Sequence, residues 1–313
     1  MTAIQFDLKL PPQNVSWSDY LAVAAAADRL AFGTFWTFDH LYPIGGDLEG
    51  SEHECYATMA ALAAVTKRVR IGALVSGVIY RNPAMQIKLA TQIDVISNGR
   101  FDFGIGAGWA EREFRAFNIP FPEAKDRIAT LRETLDLAKL VWSGDPRKKV
   151  SYAGKHVQAT DLFMNPQPIQ LPHPPIVIGG AGEQLTLRVV ARHADVWHGF
   201  GDIPTLKHKI ELIDGYAPNH GRQGSDIVKS TDSQIWVGEL TDADVERISQ
   251  RMRRPAEQVR ASVNAGSPAE IEAKLRPIVD AGITRFVVPA WGPEFSDNWR
   301  RVSEEIIPRF AKG

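Results

Sequence analysis

The chain has 313 residues, one cysteine and a formal net charge of −1, with 44% hydrophobic and 23% charged residues. This near-neutral charge provides no field to attract nucleic acid or an anionic membrane, and the lone Cys55 excludes an internal disulfide framework. Because there is neither a signal-peptide pattern nor an apolar run of membrane-spanning length, we expect a cytoplasmic protein that binds neither nucleic acid nor membrane.

Strand-like runs alternate with helical patterns in the first third of the chain. Short apolar or β-branched runs predict four strands, at Ile4–Leu8, Thr34–Phe38, Val69–Val75 and Phe101–Ile105. Three helices are predicted between them, at Ser16–Leu30, at Cys55–Val65 and from Pro83 to about Ile96. Serine is a residue type that caps helices and proline favours the first helical turn, which supports the first and third of these helices.

The same alternation continues to the end of the chain. Four further strands are predicted at Pro175–Ile178, Ala194–His198, Ser230–Val237 and Thr284–Pro289. Helices are predicted at Glu183–Arg192, at Ile203–Tyr216, after Ser267 and in a last segment that ends at Phe310. Two segments interrupt the repeat. Residues 145–171 are polar and rich in Pro and Gly, which predicts a hairpin insertion, and residues 240–265 predict a second insertion or a solvated helix.

Eight strand–helix units in series, with no linker between them, predict one (β/α)8 TIM barrel that spans residues 1–313 as a single domain. A doubly wound open sheet is the alternative fold. The barrel is favoured because no glycine fingerprint follows the first predicted strand and because eight units exceed what one open sheet needs. The C-terminal ends of barrel strands meet at one mouth, where active sites of this fold lie.

The fourth predicted strand runs into a glycine-rich turn. Gly104, Gly106 and Gly108 carry no side chain where the strand ends, which predicts that another group approaches the backbone closely there. Trp109, Glu111 and Glu113 follow at the mouth of the predicted barrel. This turn is therefore a candidate part of a binding site.

Three segments carry a resemblance to a known family: GRFDFGIGAGW, the IPFP link and PPIVIGGAGEQLTLRVVARHADVWH. They resemble the luciferase-like monooxygenase superfamily and, within it, the branch of F420-dependent oxidoreductases. The resemblance covers about Phe32 to Gly201 and returns at AGITRFVVPA. It implies a luciferase-like barrel that binds the deazaflavin F420 and transfers a hydride to or from a small organic substrate. An FMN-dependent monooxygenase that uses molecular oxygen is the alternative, and a barrel that only binds a flavin is a further one.

The resemblance implies that Asp39 and His40, just after the second predicted strand, are catalytic residues facing the reactive ring of the cofactor. Histidine suits this role because its charge changes near neutral pH, which favours proton transfer. The alternative is that Asp39 caps the following loop and that His40 is a packing residue.

The resemblance also implies the cofactor-binding residues. At the end of the third strand, a non-prolyl cis peptide is expected at Leu74–Val75. Gly106, Ala107 and Gly108 are expected beside the ribityl or phosphate part of the cofactor, with His198 and Gly199 in the same pocket. Gly179, Gly180, Ala181 and Gly182 precede a helix, and free N–H groups there bind anions, so this loop is expected to hold the phosphate. The alternative is a tight strand-to-helix turn.

Tyr42 and Trp109 are predicted to line the substrate pocket. In the sugar-phosphate dehydrogenases of the F420 branch, a catalytic glutamate follows the glycine run, and here Trp109 occupies that place. An indole cannot donate that proton, so oxidation of sugar phosphates is not expected. A homodimer is predicted, because the helices Cys55–Val65 and Met85–Ile96 are more apolar than one barrel-facing stripe requires. No His or Cys spacing predicts a metal site.

Overall fold

A computed structural model describes residues 4–311 of the chain. Eight parallel strands form a closed barrel in which each strand pairs with the next along the chain and the last pairs with the first. They are β1 Gln5–Lys9, β2 Thr34–Thr37, β3 Arg70–Ala73, β4 Phe101–Gly106, β5 Ile176–Gly179, β6 Val196–Gly199, β7 Val228–Asp232 and β8 Arg285–Pro289. This arrangement confirms the predicted (β/α)8 fold.

Helices surround the barrel, and several begin at the predicted caps. They are α1 Trp17–Arg29, α2 Cys55–Val65, α3 Pro83–Ser97, α4 Glu111–Ala116, α5 Ala124–Trp142, α6 Thr186–His193, α7 Ile203–Tyr216, α8 Asp242–Met252, α9 Ala256–Ser262, α10 Pro268–Asp280, α11 Ser296–Arg301 and α12 Ile307–Phe310. The Ser16 hydroxyl accepts a hydrogen bond from the Asp19 N–H, and Ser267 forms a capping box with Glu270. Within residues 4–311, no helix has both the length and the apolar character needed to cross a bilayer.

The two predicted insertions have different structures. Residues 145–171 contain an antiparallel hairpin of Val150–Ala153 and Gln158–Leu162, as predicted. Residues 240–265 contain α8 and α9, followed by a short strand, Asn264–Gly266, that pairs in parallel with Ile235–Val237.

Two predicted boundaries are wrong. The strand predicted at Ser230–Val237 is divided, because β7 ends at Asp232 and Ile235–Val237 leaves the barrel to pair elsewhere. Helix α6 begins at Thr186 rather than at Glu183, so the preceding glycine turn is longer than predicted.

Large aromatic side chains and glycines share the barrel interior. Trp36 points inward from β2 and packs with Val177, Val196 and Val287. A Cβ atom at Gly72 would lie 2.3 Å from the Trp36 ring, so glycine at this position makes room for the indole. The neighbouring strand residues on the outer side pack against the helices in a larger core. The interior is thus filled by side chains, as in other TIM barrels.

A cluster of buried charges, which we call the basal cluster, fills the N-terminal end of the barrel. Arg285 at the start of β8 donates to Asp7 Oδ2 and, at 3.0 Å, to Asp102 Oδ2. Trp36 Nε1 also donates to Asp7, at 2.8 Å, and Arg70 Nε donates to Asp102 at 2.9 Å. Burial alone would raise the pKa of Asp102, but Arg285 and Arg70 hold it below its usual range. The sequence analysis did not predict this cluster.

Candidate active site

A cleft of about 470 Å³ opens at the C-terminal ends of the barrel strands. This volume is within the range of small-molecule sites. The structure brings together most of the predicted site residues as its lining, namely Asp39, His40, Leu74, Val75, Gly106, Ala107, Gly108, Trp109, Gly179, Gly180 and His198. Residues that sequence reasoning did not select also line it, among them Lys9, Phe38, Ile44, Tyr80, Thr186 and Phe200.

Four predicted residues lie outside the lining. Tyr42 packs with Phe117 at a ring-centroid distance of 5.6 Å, in a separate groove that Trp109 also borders. At Gly199, a Cβ atom would lie 2.3 Å from the Trp197 ring, so this glycine accommodates an internal side chain. The other two, Ala181 and Gly182, continue the glycine turn beyond the edge of the cleft.

His40 is held by the carboxylate of Glu113, which lies on α4. Its Nδ1 lies 2.7 Å from Oε1 of Glu113 on α4, and the Leu41 N–H and the Tyr80 hydroxyl each donate to Glu113 Oε2 at 2.8 Å. An ionised carboxylate only accepts, so Nδ1 carries the proton and Nε2 is left as the nitrogen that can exchange a proton with a ligand. The edge of the exposed Trp109 ring lies beside the imidazole, with centroids 5.5 Å apart.

The electrostatic environment keeps Glu113 charged. Burial alone would raise its pKa, but the hydrogen bonds from His40, Leu41 and Tyr80 lower it below the usual range. In turn, burial and the nearby Glu113 carboxylate raise the pKa of Tyr80, which remains a neutral donor. The arrangement is a carboxylate–histidine pair at the edge of a cleft, a geometry suited to general acid–base chemistry.

Asp39 borders the cleft, but its carboxylate is bound by other side chains of the protein. Arg81 donates to both of its carboxylate oxygens, at 2.6 and 3.0 Å, and the Ser76 hydroxyl donates to Oδ2. The Asp39 side chain has no exposed surface. Asp39, which was predicted as a catalytic residue, is thus a buried carboxylate whose two oxygens are bound by Arg81 and Ser76.

The predicted cis peptide at Leu74–Val75 is confirmed. The Val75 side chain lies between two glycines at the ends of β4 and β5. A Cβ atom at Gly106 would lie 2.8 Å from Val75 Cγ2, and one at Gly179 would lie 3.0 Å from both Val75 methyl groups. The group that approaches the backbone at Gly106 and at Gly179 is therefore the Val75 side chain. At Gly104, the approaching group is the Ala73 carbonyl, whose oxygen would be 1.7 Å from a Cβ atom.

The glycine turn after β5 presents unpaired N–H groups. In the described part of the chain, the N–H groups of Ala181, Gly182 and Glu183 have no hydrogen-bond acceptor. The turn leads into α6, and Thr186 at its first position lines the cleft. Lys209 Nζ donates to the Ala181 carbonyl at 3.2 Å, which adds a positive charge beside the turn. Free N–H groups in a glycine turn that precedes a helix, next to a cation, form a site suited to an anion.

His198 lies on β6, beside the glycine turn and among polar residues from β1 and β7. Its Nδ1 lies 3.0 Å from Ser230 Oγ, and its Nε2 lies 3.7 Å from Asp232 Oδ1 and has no hydrogen-bond partner among residues 4–311. Burial lowers the pKa of His198 to about 4, and the nearby Asp232 only partly offsets this effect. Lys9 Nζ lies 2.7 Å from both oxygens of Asp232.

Comparison with known proteins gives the family. Residues 1–290 match the model of the family described as luciferase-like monooxygenase. The F420-dependent glucose-6-phosphate dehydrogenase of Amycolatopsis mediterranei (strain U-32) is 26% identical, over 93% of this chain and 94% of that protein.

Solved structures share the fold at low identity. An F420-dependent secondary alcohol dehydrogenase in complex with an F420–acetone adduct has a TM-score of 0.84 at 19% identity, covering 97% of this chain and 99% of that one. A riboflavin lyase with modified FMN and riboflavin has a TM-score of 0.82 at 14% identity, covering 99% and 92%. These structures establish the barrel, and the family match establishes the relationship. The chain belongs to the luciferase-like monooxygenase family.

Proposed function

We propose that this protein is an F420-dependent oxidoreductase that transfers a hydride between the deazaflavin and a small organic substrate. The observation that carries the proposal is the His40–Glu113 pair at the edge of the cleft, with a 2.7 Å contact at Nδ1. When bound, the cofactor supplies the hydride donor or acceptor. The relatives named as F420-dependent enzymes support this cofactor, and the FMN-containing neighbour keeps FMN as the alternative.

His40 supplies the proton that must accompany a hydride. Reduction of a carbonyl or an activated double bond needs one proton for each hydride, and oxidation of an alcohol releases one. His40 Nε2 gives or takes this proton, while Glu113 holds the ring and stabilises the imidazolium form. Asp39, paired with Arg81, acts as a positioning residue for the loop that carries His40.

The residues of the cleft fit a flavin-like cofactor. The unpaired N–H groups of Ala181, Gly182 and Glu183 would hold its phosphate, with Lys209 adding charge. Val75, seated between two glycines, and the apolar side chains Phe38 and Phe200 would contact the ring system. An exposed Trp109 in place of a carboxylate at the rim supports a substrate other than a sugar phosphate.

A titration with each cofactor tests the proposal. We expect F420 to bind at least about tenfold more tightly than FMN. Quenching of tryptophan fluorescence measures both affinities. Equal or tighter binding of FMN would favour the monooxygenase alternative.

A charge placed in the glycine turn tests the phosphate site. Gly180 has a φ of 141°, so a side chain there would strain the backbone, and Ala181 is the better position. Ala181→Asp should weaken binding of either cofactor by about tenfold or more relative to the isosteric Ala181→Asn, because a carboxylate would repel the phosphate. Equal affinities of the two variants would mean that the turn has a structural role only.

We also propose a homodimer formed through α2 and α3. Val65, Met85 and Ile96 on these helices expose 59%, 56% and 39% of their surface, an apolar face that a partner would cover. Light scattering at micromolar concentration should give twice the monomer mass, and Met85→Glu should shift the equilibrium to monomer. Leu140→Glu, at an exposed leucine on α5, is the matched control that should stay dimeric. A wild-type monomer would contradict this proposal.

A further inference from the structure

A second space, which we call the side chamber, adjoins the cleft at the barrel mouth. Its volume is about 330 Å³, and it shares Lys9 and Phe38 with the cleft lining. Its remaining walls include Trp291, which follows β8, together with Arg251 near the end of α8 and Arg254 just beyond it. No residue of the glycine turn, 179–186, belongs to this lining. The side chamber thus borders the cleft on the side away from the candidate phosphate site.

The side chamber has an excess of positive charge. Its lining in the described chain contains three cations, Lys9, Arg251 and Arg254, and one carboxylate, Asp232. Lys9 and Asp232 neutralise each other, since Lys9 Nζ lies 2.7 Å from both carboxylate oxygens. Burial alone would raise the pKa of Asp232, but Lys9, with smaller contributions from His198 and Arg254, holds it below the usual range, so this carboxylate stays charged. No second carboxylate in the described lining balances the positive charges of Arg251 and Arg254.

The two arginines have unused donors. Arg251 Nε donates to the Trp291 carbonyl at 2.6 Å and Nη1 donates to the Asn14 carbonyl at 2.8 Å, which fixes the guanidinium and leaves Nη2 without an acceptor in residues 4–311. The Arg254 side chain has neither a hydrogen bond nor an ion pair with any described residue. By contrast, Arg81 and Arg285 are both paired with carboxylates. Free guanidinium groups at a cavity wall bind carboxylates or phosphates.

Apolar side chains form much of the remaining wall, which also includes the amide side chains of Gln13, Asn14 and Gln234. Leu10, Phe38, Ile44, Met252 and Trp291 contribute hydrocarbon and aromatic surface. The chemistry of the chamber therefore matches a ligand with an apolar body and one anionic group.

We propose that the side chamber binds the substrate, and that this substrate is an organic carboxylate with an apolar body, its charge paired with Arg254 and Arg251 and its other end directed into the cleft. The assignment of this ligand as the substrate rests on the proposed function. The glutamate tail of F420 is the other candidate anion. It is disfavoured because that tail continues from the cofactor phosphate, whose candidate site does not border the chamber.

Calorimetric titration with cinnamate and with its neutral isostere cinnamamide tests the proposal on the protein without cofactor. We expect cinnamate to bind about tenfold more tightly than cinnamamide, and Arg254→Gln to remove that difference. Arg253→Gln is the matched control, because Arg253 is the neighbouring arginine but does not line the side chamber. In this control the preference for the carboxylate should persist.

Three results would overturn the proposal. They are equal affinities for cinnamate and cinnamamide, an unchanged cinnamate affinity in Arg254→Gln, and an equal loss in Arg253→Gln. F420 is titrated into the same variants, and a loss of F420 affinity in Arg254→Gln with unchanged cinnamate affinity would assign the arginine to the cofactor tail. Failure of F420 to bind the wild-type protein contradicts the proposed function alone, because the cinnamate measurement does not depend on the cofactor.

Discussion

Buried titratable side chains occur at both ends of the barrel, and the two groups differ in how completely they are paired. In the basal cluster, Arg285 contacts Asp7 and Asp102, and Arg70 contacts Asp102 from the other side. The two carboxylates of this cluster are each bound by an arginine. At the mouth, His40 is paired through Nδ1 only, and His198 Nε2 has no partner in the described chain.

This difference indicates which cluster serves a ligand. A buried charge with all its hydrogen bonds made is a structural element, and removing one partner leaves the other charge uncompensated. A buried polar atom without a partner is costly unless a ligand or water completes it. Burial is common to both ends of this barrel, so the open hydrogen-bonding position at His198 Nε2 is what distinguishes the mouth from the basal cluster.

The largest expected effect is on stability, at the basal cluster. Arg285→Met should lower the free energy of unfolding by about 3–5 kcal/mol, because Asp7 and Asp102 would lose their shared cation in a buried site. Urea unfolding measures this loss. Arg285→Lys retains the charge without the planar fork and should show a smaller loss, which keeps the prediction testable if the methionine variant does not fold.

The matched control for this prediction is Arg70→Met. The Arg70 side chain is 30% exposed, and Asp102 keeps its contact with Arg285 in this variant. A loss of about 1 kcal/mol is expected. Losses of equal size in Arg285→Met and Arg70→Met would contradict the central role of Arg285.

The next effect is on catalysis, at the mouth. His40→Ala should lower turnover by about a hundredfold or more, the usual scale for loss of a positioned acid or base, while cofactor affinity falls much less. Turnover is measured per cofactor-bound site, together with the melting temperature. A variant that melts earlier but turns over normally would show that His40 is a packing residue.

Glu113→Gln tests whether the carboxylate acts through His40. The substitution preserves size and one acceptor oxygen but removes the charge that stabilises the imidazolium. Turnover should fall about tenfold and its dependence on pH should change, because a neutral amide cannot offset the charge that the ring gains during proton transfer. A normal rate and an unchanged pH profile would limit Glu113 to a structural role.

A further effect, on the pH dependence of stability, distinguishes the two ends of the barrel. In the folded protein, burial lowers the pKa of His198 to about 4, from 6.5 in an exposed histidine. Below pH 6.5 the unfolded chain therefore binds a proton that the folded chain does not, and stability falls as the pH decreases towards 4. Between pH 7 and pH 5 this effect amounts to about 2 kcal/mol.

His198→Gln should remove this part of the acid sensitivity, as measured by urea unfolding at pH 7 and pH 5. The basal cluster should not contribute in this window, because the pKa of Asp102 is lowered below the ordinary value of an aspartate and its stabilisation is lost only at more acid pH. An identical loss of stability in wild type and variant would mean that His198 is protonated in the folded protein.

Much of the framework was predictable from local patterns. Apolar runs of strand length, separated by helical segments with serine and proline signals, led to the correct barrel. The end of β3 and the glycines after β4 and β5 were identified through resemblance, and the cis peptide at Leu74–Val75 lies where it was expected. The strand predicted at Ser230–Val237 was wrong because a continuous β-rich run gives no sign of where a chain leaves one sheet for another.

Local sequence thus determined the strands, the helix caps and the glycine turns, since each of these features depends on residues that are close together in the sequence. Partnerships between side chains were decided by tertiary structure. His40 and Glu113 are separated by 73 positions, Lys9 and Asp232 by 223, and Asp7 and Arg285 by 278. The last two pairs form because closure of the barrel places β1 beside β8, which in turn pairs with β7. No local sequence pattern encodes these contacts between strands. The assignment of partners to these charged residues required the closed barrel.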